Sequence, residues 1–208
     1  MLFVTATNTN IGKTYTTIKL IESFSKQGIL VGVCKPLETG VEKEPLDAKL
    51  LLQTVQKYNS NFSSFEPKDI TAYTFELPAA PFCADTNRTI SIQTIKDKII
   101  ELQQLCDLLI VEGAGGLMVP ITQNYKMIDL AKELNCKTLL VTPSKLGCIN
   151  DTELSIEALK SKGIGFDWCV NLFEDRDMFQ KVTQPYYDAV YPNWWSLNKL
   201  DKQITKLL

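Results

Sequence analysis

Residues 6–14 read AlaThrAsnThrAsnIleGlyLysThr and stand between two regular segments. Before them, residues 1–6 (MLFVTA) form a short apolar run that reads as a buried strand. After them, residues 13–27 carry Ile18, Ile21 and Phe24 at helical spacing and stop at Gly28, a suitable residue just past a helix end. Strand, loop and helix in that order are the setting of a phosphate-binding loop. Backbone N–H groups of such a loop, together with the helix N-terminus, present positive partial charge to phosphate oxygens. Lys13 can then reach the β- and γ-phosphates, and the Thr14 hydroxyl can ligate Mg²⁺. Asn10, Ile11, Gly12, Lys13, Thr14 and Tyr15 are therefore the candidate nucleotide-binding residues. The usual spacing places a first glycine at position 7, where this chain has Thr7 preceded by Ala6.

Outward from the loop the pattern repeats. Residues 29–34 (ILVGVC) make a second strand, and a loop holding Pro36, Gly40 and Pro45 leads into a helix over about 46–57. The stretch 59–90 is rich in Asn, Ser and Pro and reads as ordered loop with one short strand near 70–75. Ser91 caps a helix over 91–106, whose Ile92, Ile95, Ile99, Leu102 and Cys106 form one apolar stripe. Apolar runs at 108–111, 138–141 and 164–170 alternate with helical patterns at 127–135 and 151–162, the second opened by Asn150 with Glu153 three residues later. This alternation implies a single α/β domain over 1–208, with a mostly parallel sheet covered by helices on both faces.

Composition narrows the chemistry. The 208 residues are 45% hydrophobic and carry a net charge of −2 with no dense Lys/Arg run, so a nucleic-acid or anionic-lipid footprint is not expected. No apolar stretch approaches the roughly 18–20 residues of a membrane span, and the N-terminus lacks a charged signal-peptide region, so a cytoplasmic protein is expected. Six cysteines without a CxxC pair read as buried free thiols. The chain contains no histidine, which removes Ser-His-Asp and Cys-His nucleophile systems and imidazole metal sites. Lysines, carboxylates and a hard metal must do the work.

Residues 108–116 (LLIVEGAGG) are a second constellation, a buried strand that ends in Glu112 followed by a glycine-rich turn. A carboxylate at the C-terminal end of a parallel strand faces the ligand crevice, and glycines let backbone approach a ligand, which makes Glu112, Gly113, Ala114 and Gly115 candidates for the nucleotide and metal side. Lys35, at the end of the second strand, should point into the same crevice as Lys13, and Asp47 sits in the first turn of the following helix.

With these residues the chain resembles the dethiobiotin synthetase family. The resemblance runs through TATNTNIGKT (5–14), CKPLETG (34–40), Asp47-Ala48, AYTFELPAAP (72–81), VEGAGGLMVP (111–120) and KLGCIND (145–151). The family places its first loop glycine six residues before the second, which corresponds to Ala6 here. The resemblance implies that Thr14, Asp47 and Glu112 hold Mg²⁺, and that Lys13 and Lys35 neutralise carbamate and phosphate oxygens. It places Thr9 beside the carbamate and Thr39 against the substrate. It also implies that Leu146, Gly147, Cys148, Ile149 and Asn150 reach the substrate bound in a neighbouring subunit of a homodimer. The implied reaction uses ATP and CO₂ or bicarbonate to close a cyclic urea on diaminopelargonic acid.

The resemblance weakens towards the C-terminus, where Asn171-Leu172 and the tail YPNWWSLNKLDKQITKLL replace the family's base-binding segments, so weak discrimination among nucleoside triphosphates is expected. A Par/Min-type partition ATPase is the rival reading, but those proteins need an extra loop lysine where this chain has Asn8. An attached glutaminase, as in cobyrinate amidation, needs a histidine, and the chain has none.

Overall fold

The computed structural model describes residues 1–173 and 175–208. In chain order the elements are β1 (Leu2–Ala6), α1 (Lys13–Lys26), β2 (Val31–Cys34), β3 (Leu37–Thr39), α2 (Leu46–Val55), β4 (Tyr73–Phe75), α3 (Pro81–Ala84), α4 (Ile92–Gln103) and β5 (Leu108–Gly116). They continue with β6 (Pro120–Thr122), β7 (Tyr125–Lys126), α5 (Met127–Leu134), β8 (Lys137–Pro143), α6 (Cys148–Ser161), β9 (Phe166–Asn171), α7 (Arg176–Val182), α8 (Gln184–Val190), β10 (Trp195–Ser196) and α9 (Leu200–Gln203).

Six strands form one parallel sheet in the order β10-β9-β8-β1-β5-β2. Its central strands are rich in apolar residues because helices cover both faces, and β1 is buried at every residue. β1 lies between β5 and β8, pairing Val4 with Glu112 and Ala6 with Val141. The loop after β1 therefore emerges beside the ends of both neighbours, as the alternating pattern of runs and helices predicts. Ser91 does cap α4, accepting from the Thr94 N–H at 3.3 Å.

Two expectations are corrected. The glycine-rich residues after Glu112 continue β5 as far as Gly116, and the register against β1 shifts between Val4 and Ala6, so the strand bulges there. Gly116 runs so close to the loop that a Cβ would lie 2.9 Å from the Thr7 carbonyl oxygen, which explains glycine at this position. Helix α6 opens at Cys148, after Gly147 in the left-handed conformation, and Asn150 lies inside its first turn without capping it. Glu153 serves the C-terminal segment, accepting from the hydroxyls of Tyr186 at 2.9 Å and Tyr191 at 2.7 Å.

That segment builds an aromatic cluster on the β9 side of the sheet. Trp168 of β9 meets Tyr187 and Tyr191 edge-on at centroid distances of 5.0 and 5.3 Å, and Phe179 and Trp194 close the group at 5.7 Å. Trp195 is buried beside it and donates from its indole N–H to Asp167 at 3.1 Å. The cysteines are all free thiols, as expected; Cys34, Cys148 and Cys169 are buried and Cys106 and Cys136 half-buried, while Cys83 is exposed. Among the described residues no helix is long and apolar enough to cross a membrane.

Candidate active site

The loop between β1 and α1 is held open by its backbone. Asn10 and Gly12 have φ angles of 60° and 93°, and α1 starts at Lys13 with no side chain capping its first amides. Those N–H groups are left for a ligand. The Lys13 ammonium folds back over the loop and donates to the Asn8 carbonyl at 3.1 Å. Ile11 is buried and turned away from the cleft, and its carbonyl accepts from the Asn171 side-chain amide at 3.0 Å.

On the opposite wall β2 and β5 run side by side, with Cys34 paired to Val111, so Lys35, the residue after β2, is a neighbour of Glu112 within β5. The Lys35 ammonium donates to Glu112 Oε1 at 2.7 Å and lies 3.2 Å from Asp47 Oδ2. Glu112 is fully buried and also accepts from two hydroxyls of α1, Thr14 at 2.9 Å on the same Oε1 and Thr17 at 2.6 Å on Oε2. One carboxylate thus ties the phosphate-loop helix to the second lysine.

Around this centre lies a cleft of about 800 Å³, large enough for a nucleotide tail and a small substrate together. Thr9, Asn10, Gly12, Lys13, Thr14, Tyr15, Lys35, Thr39, Asp47, Ala114 and Gly115 line it, with Pro78 to Pro81 as an apolar wall. Glu112 and Gly113 stand behind that lining; the Gly113 carbonyl is 3.4 Å from the Lys35 ammonium. Residues 146–150 are not brought to the cleft within this chain. Leu146 is 79% exposed, and Cys148 is buried under the Tyr187 hydroxyl at 3.7 Å.

The sequence model described as an AAA domain matches residues 1–167. Over 195 residues the chain is 61% identical to a protein named ATP-dependent dethiobiotin synthetase from Sulfurovum sp. (strain NBC37-1), covering 94% of this chain and 93% of that one. The chain belongs to the dethiobiotin synthetase family. A protein of the same name from Wolinella succinogenes is 35% identical over 210 residues, covering 100% of this chain and 97% of that one. Among solved structures, a plasmid partition protein from Borrelia burgdorferi superposes with a TM-score of 0.59 at 10% identity, covering 99% of this chain and 96% of that one. The MinD cell division protein of Aquifex aeolicus gives 0.52 at 16% identity, over 99% and 86% of the two chains. At such identities the likeness is one of fold.

In this dethiobiotin synthetase family member the two lysines differ in character. Burial, and next the nearby Lys35 charge, push the Lys13 ammonium down to about 8. Burial would also lower Lys35, but Glu112 and Asp47 outweigh it and hold that ammonium above the usual lysine range. Lys35 is thus a permanent cation, whereas the Lys13 ammonium gives up its proton more readily.

The donor set fits a magnesium ion. Thr14, Glu112 and Asp47 supply a hydroxyl and two carboxylates, hard oxygen donors that converge on one corner of the cleft beside the phosphate loop. Magnesium is usually held through one or two carboxylates plus substrate phosphates, with no all-protein cage required. No group of three or more His, Cys, Asp or Glu residues is placed to hold a metal among the described residues.

Two residues of the site escaped the sequence reading. Thr17 lies one helical turn after Lys13 and orients Glu112; its spacing from Thr14 was the available signal. Glu38, between the singled-out Lys35 and Thr39, lines the cleft while 7% exposed and accepts the N–H groups of Asp47 and Ala48, each at 2.9 Å. Burial raises its carboxyl above the usual range in spite of those two N–H groups.

Proposed function

We propose that this chain is an ATP-dependent dethiobiotin synthetase, a ligase that closes a cyclic urea on diaminopelargonic acid with CO₂. The observation that carries the reading is Lys35, a buried permanent cation fixed between Glu112 and Asp47 in the same cleft as the phosphate-loop lysine. A Par/Min-type switch carries its extra lysine in the phosphate loop, where this chain has Asn8; here the second lysine stands across the cleft from the loop. A second lysine facing the first suits a reaction that brings a further anion to the γ-phosphate.

One amine of the substrate takes up CO₂ as a carbamate, whose oxygen attacks the γ-phosphorus and expels ADP. The second amine then attacks the carbonyl of the carbamic-phosphoric anhydride, the C–O bond to phosphate breaks, and the ring closes with release of inorganic phosphate. The nucleophile in the first step is already an anion, so no histidine base is needed. In this reading Lys13 and the loop amides hold the β- and γ-phosphates, Lys35 faces the carbamate, and Thr9 and Thr39 position the substrate against the 78–81 wall. Magnesium, held by Thr14, Glu112 and Asp47, would neutralise phosphate charge. Catalysis is then positioning plus charge stabilisation, the terms that dominate phosphoryl transfer.

The segment 146–150, exposed at Leu146 and not part of this chain's own cleft lining, serves the substrate of a partner subunit in a cytoplasmic homodimer. Phosphate release from Mg²⁺-ATP and bicarbonate, with and without diaminopelargonic acid, followed by mass analysis of the product, tests the proposal. Diamine-dependent release with formation of the cyclic urea is expected. Diamine-independent hydrolysis without a new product would favour the nucleotide-switch alternative.

A further inference from the structure

Helix α2 carries Asp47 but begins without a cap of its own. Its N-cap is Pro45, which has no side-chain acceptor, so the amides of the first turn lack a local partner. The partner comes from outside the helix. Glu38, on β3, places one carboxylate oxygen on the Asp47 N–H and the other on the Ala48 N–H, both at 2.9 Å. A negative charge at this end of a helix is also favoured by the helix dipole.

The same segment is pinned at its other end. The Lys35 N–H donates to the Ile70 carbonyl at 2.9 Å, β3 pairs Glu38 with Thr74, and the Lys35 ammonium meets Asp47. The chain from 35 to 47 is therefore a loop closed twice, once by Lys35 with Asp47 and once by Glu38 with the α2 amides. Asp47 is 42% exposed and, among the described residues, Lys35 is its one side-chain partner, so its aim depends on where the helix starts.

We propose that Glu38 is a positioning residue: its carboxylate fixes the start of α2 and so directs Asp47 at the metal corner formed with Thr14 and Glu112. The inference rests on the ligase reading for its chemistry but concerns only how this chain presents its own oxygen donors. Residues that orient metal ligands typically contribute about 10–100-fold to metal affinity.

The test is a double-mutant cycle on the full chain with Glu38→Ala, Asp47→Ala and the pair, read by Mn²⁺ binding in the presence of a non-hydrolysable ATP analogue. Glu38→Ala is expected to weaken Mn²⁺ binding about tenfold. In the Asp47→Ala background it is expected to change nothing further, because the residue it aims is gone. Glu38→Gln, with one carbonyl oxygen for two N–H groups, should fall between, and it carries the cycle if the alanine variant does not fold. Effects that multiply would overturn the proposal, since Glu38 would then act on ligand directly; so would Mn²⁺ binding equal to the unmodified chain. Phosphate release measured in parallel separates the two readings. An unmodified chain that ignores the diamine fails as a ligase, while the Mn²⁺ cycle still reports on Glu38.

Discussion

The Lys35 ammonium sits 2.7 Å from Glu112 Oε1; Lys35 follows the last residue of β2, and Glu112 lies within β5 just past the paired Cys34 and Val111. The backbone register therefore sets this ion pair, and neither side chain reaches solvent to any extent. Removing one partner leaves the other buried and uncompensated, which costs about 3–5 kcal/mol. Lys35→Ala is thus expected to lower stability by roughly that amount in thermal denaturation, and to abolish diamine-dependent turnover while ATP binding persists. Normal turnover would remove Lys35 from the chemistry.

Thr14→Val keeps the shape of the side chain and deletes the hydroxyl that donates to Glu112. A shift of Mg²⁺ dependence to higher concentration, together with lower activity, is the expected outcome. An unchanged Mg²⁺ titration would place the metal elsewhere. Thr17→Val should produce a smaller shift, since Thr17 meets only the far oxygen of Glu112.

Lys13 has a pH signature. Folding lowers it from 10.5 to about 8, so the unfolded chain binds more protons between those values. Its destabilising effect is fully present below about 8 and fades as pH rises towards 10.5. Phosphates favour the protonated form, so ATP binding at about pH 8.5 should take up a proton. Calorimetry in buffers of different ionisation heat measures that uptake, and its absence would show that Lys13 is already charged in the free protein.

Gly12 tests the loop. Its φ of 93° lies where a side chain is strained, and a Cβ would also collide with the Asn171 amide. Gly12→Ala should therefore lower stability by more than the roughly 1–2 kcal/mol of the left-handed backbone alone. Adding Asn171→Ala should recover the part due to the collision, which thermal denaturation of the pair would show.

Base selectivity is expected to be weak. The Asn171 amide is turned to the Ile11 carbonyl, and beyond it a second hollow of about 470 Å³ opens between α1 and the segment at Leu197 to Asp201. ATP, CTP, GTP and UTP should support turnover within about tenfold, a spread of 1.4 kcal/mol. A strong ATP preference in the same assay would count against this.

The strand-loop-helix unit around residue 12 was legible because period, breaker and lysine coincide in one short stretch. Glu112, read as a strand end, lies within β5, whereas Lys35 was legible at the end of β2. The β5 extension was not, because glycine composition reads as turn when the bulge that needs it depends on the neighbouring strand. At α6, Asn150 and Glu153 imitate a cap, whereas Gly147 supplies the actual helix start through a left-handed backbone that composition alone does not reveal. Glu38 was hidden for a related reason: its partners are backbone amides nine and ten residues away. The short C-terminal elements carry too few residues to show a period, although Phe179, Tyr187 and Trp195 from them are buried.

The aromatic cluster on β9 also decides what light reports about this molecule. The chain has three tryptophans, Trp168, Trp194 and Trp195, and all belong to that cluster or its edge, while the cleft has none. Indole emission is then a gauge of how the last forty or so residues dock on the sheet. A tryptophan placed by substitution at Tyr15 or Phe173 would give the phosphate-loop side an optical signal of its own.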